Sequence, residues 1–213
     1  MKSVVLLSGG IDSTVCLWMA RALGPVTALC VDYGQVAAES ERRRAAMLAD
    51  MAQASFRHVA IPGLGAVLAS ALTGAGDVAQ TAQTVVPGRN AILLSIAAGL
   101  AQSIGAESVW IGCNRTDADN YRDCREYFLS NMQTSLEVYG VKVRRPLVGM
   151  TKAQVVREAQ RLLVPLAATS SCYLGTACGK CTACLTTAAA MADSPPPPAQ
   201  PTQKKRQDAK ESS

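Results

Sequence analysis

Aromatic residues are scarce in this chain, at 4% of 213 positions, and histidine occurs once. The basic residues therefore lack the interleaved stacking platforms on which single-stranded nucleic acids bind, which argues against a nucleic-acid surface. The lone His58 falls on an expected strand far from the cysteines, where packing or exposure accounts for it better than catalysis. Long hydrophobic runs are missing too. Behind Met1-Lys2-Ser3 stand only four consecutive apolar residues, Val4 to Leu7, too few for the apolar core of a secretory signal. Ala91 to Ala101 reaches about half of the roughly 20 residues of a membrane span and reads as a buried helix. A cytoplasmic chain without a membrane partner is expected. The formal charge of +5 is modest, and part of it sits at Lys204, Lys205, Arg206 and Lys210, so no nucleic-acid partner is demanded.

With 49% hydrophobic residues, the chain can bury a core of one ordinary domain without disulfide staples. Apolar runs at Lys2 to Leu7, Val26 to Val31, Phe56 to Ile61, Ser108 to Ile111 and Val141 to Arg144 read as strands. Helical spacing at Ser13 to Leu23, Glu39 to Ala52, Arg89 to about Gly105, about Asp123 to Tyr139 and Thr151 to about Leu162 separates them. Pro62 to Thr84 is weakly patterned. Alternating strands and helices predict an α/β fold with a mainly parallel sheet flanked by helices, whose ligands bind beyond the carboxyl ends of the strands. Residues 1–193 are expected to form one nucleotide-binding domain. From Ser194 to Ser213 the sequence turns to Pro195–Pro198 and then to polar and charged residues, a composition expected of a disordered tail, either solvated or touching an acidic partner.

Ser8-Gly9-Gly10-Ile11-Asp12-Ser13 follows the first strand and opens the first helix. Two glycines let backbone N–H groups approach an anion, and the helix start adds its unpaired amides and positive end. The Gly-Lys-Ser/Thr ending of a Walker loop is absent, so ordinary γ-phosphoryl transfer is not implied. The string resembles the PP-loop of the N-type ATP pyrophosphatases, which cleave ATP between its α- and β-phosphates.

Eight cysteines in a reducing compartment point to metal binding or catalysis rather than disulfides. Cys172, Cys178, Cys181 and Cys184 form C-x5-C-x2-C-x2-C, a knuckle over 172–184 suited to a closed structural zinc site. An iron–sulfur cluster, or a redox pair at Cys181 and Cys184, fits the same residues. Cys16, Cys30 and Cys113 read as buried small hydrophobes. Cys124, between charged residues at a helix start, reads equally as packing or as a thiol of lowered pKa.

Taken in order, Ser8 to Ser13, Asp32-Tyr33-Gly34-Gln35, Val86-Pro87-Gly88-Arg89-Asn90, Tyr121 with Asp123-Cys124-Arg125, and Ser171 to Cys184 resemble the 7-cyano-7-deazaguanine synthases of the queuosine pathway. The match runs from about Lys2 to Met191. The resemblance implies an adenine nucleotide alpha-hydrolase-like PP-loop fold and conversion of 7-carboxy-7-deazaguanine, ammonia and ATP to the nitrile, AMP and pyrophosphate. It implies that Ser8, Gly9, Gly10, Ile11, Asp12 and Ser13 bind ATP, that Asp12 and Arg89 carry catalysis, and that Arg89, Asn90, Asp117, Tyr121, Asp123 and Arg125 contact substrate. Arg89 and Asn90 also fit a simple helix start, and the other four a solvated loop. Structural Zn²⁺ at the four cysteines, Mg²⁺ with ATP and a homodimer are implied as well. Three stretches depart from the family: Val36-Ala37 stands where a basic pair is usual, Asp117 to Arg122 keeps only the aspartate and second tyrosine of Asp-Tyr-Ser-Gly-Tyr-Pro, and the gap between Cys172 and Cys178 is a little short. Another PP-loop enzyme (a tRNA sulfur transferase or an ammonia-dependent synthetase) and a non-catalytic zinc-knuckle protein that binds nucleic acid are the competing readings. The chain has no room for a tRNA-binding extension or a built-in glutaminase.

Overall fold

The computed structural model describes residues 1–194, so the expected tail lies outside the described residues except for Ser194. Ser194 is buried, donates from its hydroxyl to the Ala153 carbonyl (3.1 Å) and accepts at its own carbonyl from Gln160 (2.7 Å).

Five strands, β1 (Ser3–Leu6), β2 (Val26–Asp32), β3 (Ser55–Ala60), β4 (Ser108–Trp110) and β5 (Lys142–Arg144), form one parallel sheet in the order β3-β2-β1-β4-β5. Around it lie α1 (Ile11–Arg21), α2 (Ala38–Met51), α3 (Leu64–Val67), α4 (Arg89–Ile104), α5 (Arg115–Asn120), α6 (Glu126–Leu136), α7 (Lys152–Arg161) and α8 (Thr182–Ala192). The central strands are mostly apolar because both faces are covered, and the polar Ser3 and Ser108 among them are buried and bonded to each other. Val5 and Leu7 point into one core with Val15 and Leu17 of α1, Leu48 of α2 and Val155 of α7. Val4 and Leu6 point into the other, with Leu94 and Ala98 of α4 and Leu129 of α6. β2 divides in the same way, Ala28 and Cys30 against Leu29 and Val31. Each such buried Val or Leu contributes roughly 1.5–3 kcal/mol.

After β3 the chain crosses to the far side of β1 to add β4, so the strand order reverses between β1 and β4. That reversal opens a crevice at the carboxyl ends of the two strands.

Several local expectations are corrected. The first helix starts at Ile11, with Gly10 as its N-cap. The loop after β4 contains α5, whose N-cap Asn114 accepts from the Asp117 amide. The helix expected from Asp123 starts at Glu126, because Arg122–Cys124 forms a 3₁₀ turn and Arg125 is extended. Pro62 to Thr84 carries α3 and two 3₁₀ turns, and α8 follows the last cysteine. The stretch Thr81–Ile104 meets a membrane-span test by length and composition. Leu94, Ala97, Ala98 and Ala101 are nonetheless packed against the sheet, which makes α4 a core helix. His58 is exposed on edge strand β3, and Cys16, Cys30 and Cys113 are buried as expected.

Candidate functional site

The crevice encloses about 280 Å³ and is lined by Ser8, Gly10, Asp12 and Ser13 from the end of β1, and by Gly112 and Cys113 from the end of β4. Arg89 and Asn90 of α4, Asp117 of α5 and Tyr121 line it as well. Three stretches far apart in sequence, residues 8–13, 89–90 and 112–121, thus meet because each leaves a parallel strand or opens a helix at the same end of the sheet.

The glycine loop is shaped for backbone approach. Gly9 has φ +82°, and a Cβ there would lie 2.9 Å from Arg44 Cγ. Gly10 gathers the loop, its carbonyl accepting from the hydroxyls of Ser13 (3.0 Å) and Thr14 (2.8 Å). The Ser8 and Ser13 hydroxyls lie 3.2 Å apart. The first amides of α1 have no carbonyl one turn earlier within the helix and no side-chain cap, at a helix start whose residues Gly10, Asp12 and Ser13 line the crevice. The Ile11 side chain instead anchors the loop in the core. Across the crevice, a Cβ on Gly112 would lie 2.8 Å from the Asp12 carbonyl carbon and the Ser13 nitrogen. Gly112→Ala is therefore expected to push the segment after β4 from the glycine loop and to lower the melting temperature, as read by thermal unfolding.

Asp12 is held on both oxygens. Oδ1 accepts from Asn114 Nδ2 (3.1 Å), and Oδ2 pairs with Lys152 Nζ. Asn114 Nδ2 also donates to Asp117 Oδ2 (2.7 Å). Burial, with the neighbouring Asp12 charge, pushes the Asp117 carboxyl up to about 6 against the opposing pull of Lys152. Lys152 is the first residue of α7, behind a capping box in which the Thr151 hydroxyl and the Gln154 side chain serve each other's amides. Its own N–H donates to the Thr116 hydroxyl (3.1 Å).

Sequence reasoning missed Lys152 and Asn114. One signal was present: a lysine in the first turn opposes the positive end of its helix, so it calls for a carboxylate elsewhere. Also missed was the wall built from Ser170, Ser171, Tyr173 and the α8 residues Thr182, Ala183, Thr186 and Thr187. Ser170 N donates to the Gly9 carbonyl (3.0 Å), which ties this wall to the glycine loop. The Tyr121 hydroxyl joins those of Thr84 (2.8 Å) and Tyr173 (3.0 Å), linking three segments over the crevice.

Two expected contacts stand elsewhere. The Asp123 carboxylate accepts from the Asn90 amide (3.2 Å), and its carbonyl accepts from Asn90 Nδ2 (3.1 Å), so Asp123 holds the start of α4. Arg125 is exposed and donates to the Ala118 carbonyl (3.1 Å). Cys124 is buried, with its Sγ 3.5 Å from Asn90 Nδ2, which agrees with packing. Arg89 stands beside Tyr33, whose hydroxyl is raised by burial against the pull of that guanidinium.

The sulfurs of Cys172, Cys178, Cys181 and Cys184 lie within 4.8 Å of one another. Those of Cys178 and Cys184 are 3.9 Å apart, close to the ~3.8 Å edge of a tetrahedral zinc thiolate site. The amides of Cys181 and Cys184 donate to the sulfurs of Cys178 and Cys181 (both 3.4 Å). Four thiolates cannot share this volume without a cation, so the donor set fits zinc.

Residues 2–194 match the family described as Queuosine biosynthesis protein QueC. The chain belongs to this family. It is 40% identical to the 7-cyano-7-deazaguanine synthase of Myxococcus xanthus, over 86% of this chain and 90% of that one. To the 7-cyano-7-deazaguanine synthase of Xanthomonas oryzae pv. oryzae it is 41% identical, over 90% and 93%. Among solved structures it is similar to an NMN synthetase from Francisella tularensis, with a TM-score of 0.52 at 21% identity, over 81% of this chain and 67% of that one. That likeness shows the fold, a parallel sheet flanked by helices. In this QueC family member the glycine loop and the start of α4 line the crevice, and the first residues of α8, which opens inside the cysteine knuckle, supply part of its wall.

Proposed function

We propose that this chain is an ATP-dependent, nitrile-forming ligase that converts 7-carboxy-7-deazaguanine and ammonia to 7-cyano-7-deazaguanine. The observation that carries the reading is the convergence on one crevice of the glycine loop, Arg89 with Asn90, and Asp117 with Tyr121, in a chain matched to the family over residues 2–194.

The chemistry asks little covalent work of the protein. A carboxylate resists attack by ammonia until one oxygen can leave. The substrate carboxylate attacks the α-phosphorus of ATP, releases pyrophosphate and becomes an acyl adenylate. Ammonia displaces AMP, a proton is lost, and the amide forms. The amide oxygen then attacks a second ATP, again releasing pyrophosphate. Loss of AMP and of the remaining N–H protons leaves the nitrile. Positioning and charge stabilisation at the α-phosphate supply the catalysis.

In this reading Ser8, Gly9, Gly10 and Ser13, with the backbone of Ile11 and Asp12, cradle the pyrophosphate portion of ATP. Lys152 adds a cation there, and Asp12 keeps Lys152 aimed. Arg89 faces the reacting carboxylate. Asp12 and Asp117 would hold Mg²⁺ with ATP, and the ion supplies charge neutralisation of the phosphates when bound. Asn90 and Tyr121 shape the base pocket, Asp117 belongs to the phosphate corner with Asp12 and Lys152, and Asp123 and Arg125 act through the segments they fix. Residues 1–194 act as one catalytic domain whose knuckle at 172–184 binds structural zinc, with Ser194 packed on α7 rather than in the tail, which is left to residues 195–213. A cytoplasmic homodimer working on small molecules, without nucleic acid, completes the proposal.

Purified protein given ATP, Mg²⁺, ammonium and 7-carboxy-7-deazaguanine should form the nitrile by mass spectrometry, with one AMP for each activation. Absence of substrate-dependent AMP would overturn the assignment.

A further inference from the structure

Among the described residues three carboxylates line the crevice, Asp12, Asp117 and Glu41, and they are not equivalent. Asp12 is committed to Lys152 and Asn114, and Asp117 is tied to Asn114 beside the same lysine. Both belong to the phosphate corner. The Glu41 side chain has a single hydrogen-bond partner among the described residues, Gln35, whose Nε2 donates to Oε2 (2.8 Å). Gln35 is itself buried and fixed. Its Oε1 accepts from the Tyr33 amide (2.9 Å), and its Nε2 also donates to the Val31 carbonyl (3.2 Å). The side chain of Glu41 is thereby oriented with Oε1 and the remaining lone pairs uncommitted. A carboxylate in this state asks for N–H donors from outside the protein.

We propose that Glu41 reads the amino-lactam edge of the deazaguanine substrate, accepting from its ring N–H and its 2-amino group. This rests on the function proposed above. Two adjacent N–H donors match two carboxylate oxygens, a charge-assisted pairing. The adenine of ATP fits less well, since its amino group adjoins a ring acceptor whose lone pair would face the carboxylate. Cys30, Leu72 and Leu93 line the same crevice and supply apolar surface for a planar base. Burial raises the Glu41 carboxyl, against the Gln35 bond and the charges of Arg89 and Arg44. The resemblance to the family placed base recognition on Asp117 and Asp123. The fold commits Asp117 to the Asp12 and Lys152 corner and Asp123 to the start of α4, which leaves Glu41 as the carboxylate free for the base.

The test compares wild type, Glu41→Gln and Glu41→Ala for equilibrium binding of 7-carboxy-7-deazaguanine, its counterpart lacking the 2-amino group, and ATP. Both variants should bind the full substrate more weakly by on the order of 10- to 100-fold and should bind ATP as wild type does. For the counterpart, wild type should already bind poorly, and the effect of Glu41→Gln should shrink to a few-fold, because the lost partner is already missing. A structural role would weaken both ligands equally, and an adenine contact would weaken ATP instead; either result overturns the proposal. Unchanged substrate binding in the variants, with a wild type that forms nitrile, also overturns it while leaving the function standing. A wild type that forms no nitrile removes the function itself, and the proposal with it.

Discussion

Asp12→Asn is expected to reduce substrate-dependent AMP formation by on the order of 10³-fold, with zinc content unchanged. Asp12 opens the crevice side of α1, its side chain 18% exposed, and pairs with a Lys152 side chain that is 10% exposed. Neutralising the aspartate leaves that ammonium in a confined site without its counter-charge, a loss of about 3–5 kcal/mol for a buried pair. The melting temperature should therefore fall as well. Stability alone does not account for the activity loss, because the same substitution disturbs Asn114, through which Asp12 is coupled to Asp117. Lys152→Met should produce a loss of similar size, and the double variant should lose little more than either single one, since the two residues act as a unit. Steady-state AMP release, with ATP affinity measured separately, checks this. Independent, multiplicative losses would show that Asp12 and Lys152 act separately.

Cys181→Ser is expected to abolish stoichiometric zinc and to lower the melting temperature by on the order of 10 °C, given the folding energy carried by structural zinc. This substitution separates two roles. Cys181 is fully buried and is also the N-cap of α8, its sulfur accepting from the Cys184 amide. Serine caps a helix well, so the cap survives while the fourth thiolate is lost. Because α8 supplies Thr182, Ala183, Thr186 and Thr187 to the crevice, substrate affinity should fall with the metal. Metal content by atomic emission, with thermal unfolding, reads the outcome. Full zinc in Cys181→Ser, or an unchanged transition, would remove the metal from the account of the knuckle. Chelation of the wild type should reproduce the variant's transition.

The contrast between Asp12 and Lys152 shows what could be read along the chain. Asp12 lies inside a contiguous motif whose glycines and serines have local reasons to be there, and the turn between a buried strand and a helix is a short-range event. Lys152 is 140 residues away and meets Asp12 only because α7 begins beside the start of α5, where Arg115 and Thr116 bond to Met150 and Lys152. Asn90 and Asp123 make the same point in reverse. Both sit in short motifs, but only the folded chain shows that they bond to each other, so that Asp123 holds a helix start rather than facing the crevice. The helix after the last cysteine carried little signal, since Thr182–Ala192 is rich in alanine and threonine with weak amphipathic contrast. Its position follows from the knuckle at one end and from Ser194 bound to α7 at the other.

By itself the sequence determined what is local and periodic: the alternating apolar strands of a parallel sheet, the glycine loop with its helix start, and four cysteines spaced for one metal. Those features depend on neighbours within a few residues, where chain connectivity dictates contact. The tertiary structure alone decided which carboxylate pairs with Lys152, which one is left free at Glu41, and that the knuckle's helix forms a wall of the crevice. Such choices depend on where the strand order reverses and on which helix starts converge there, and no short stretch of chain encodes that geometry.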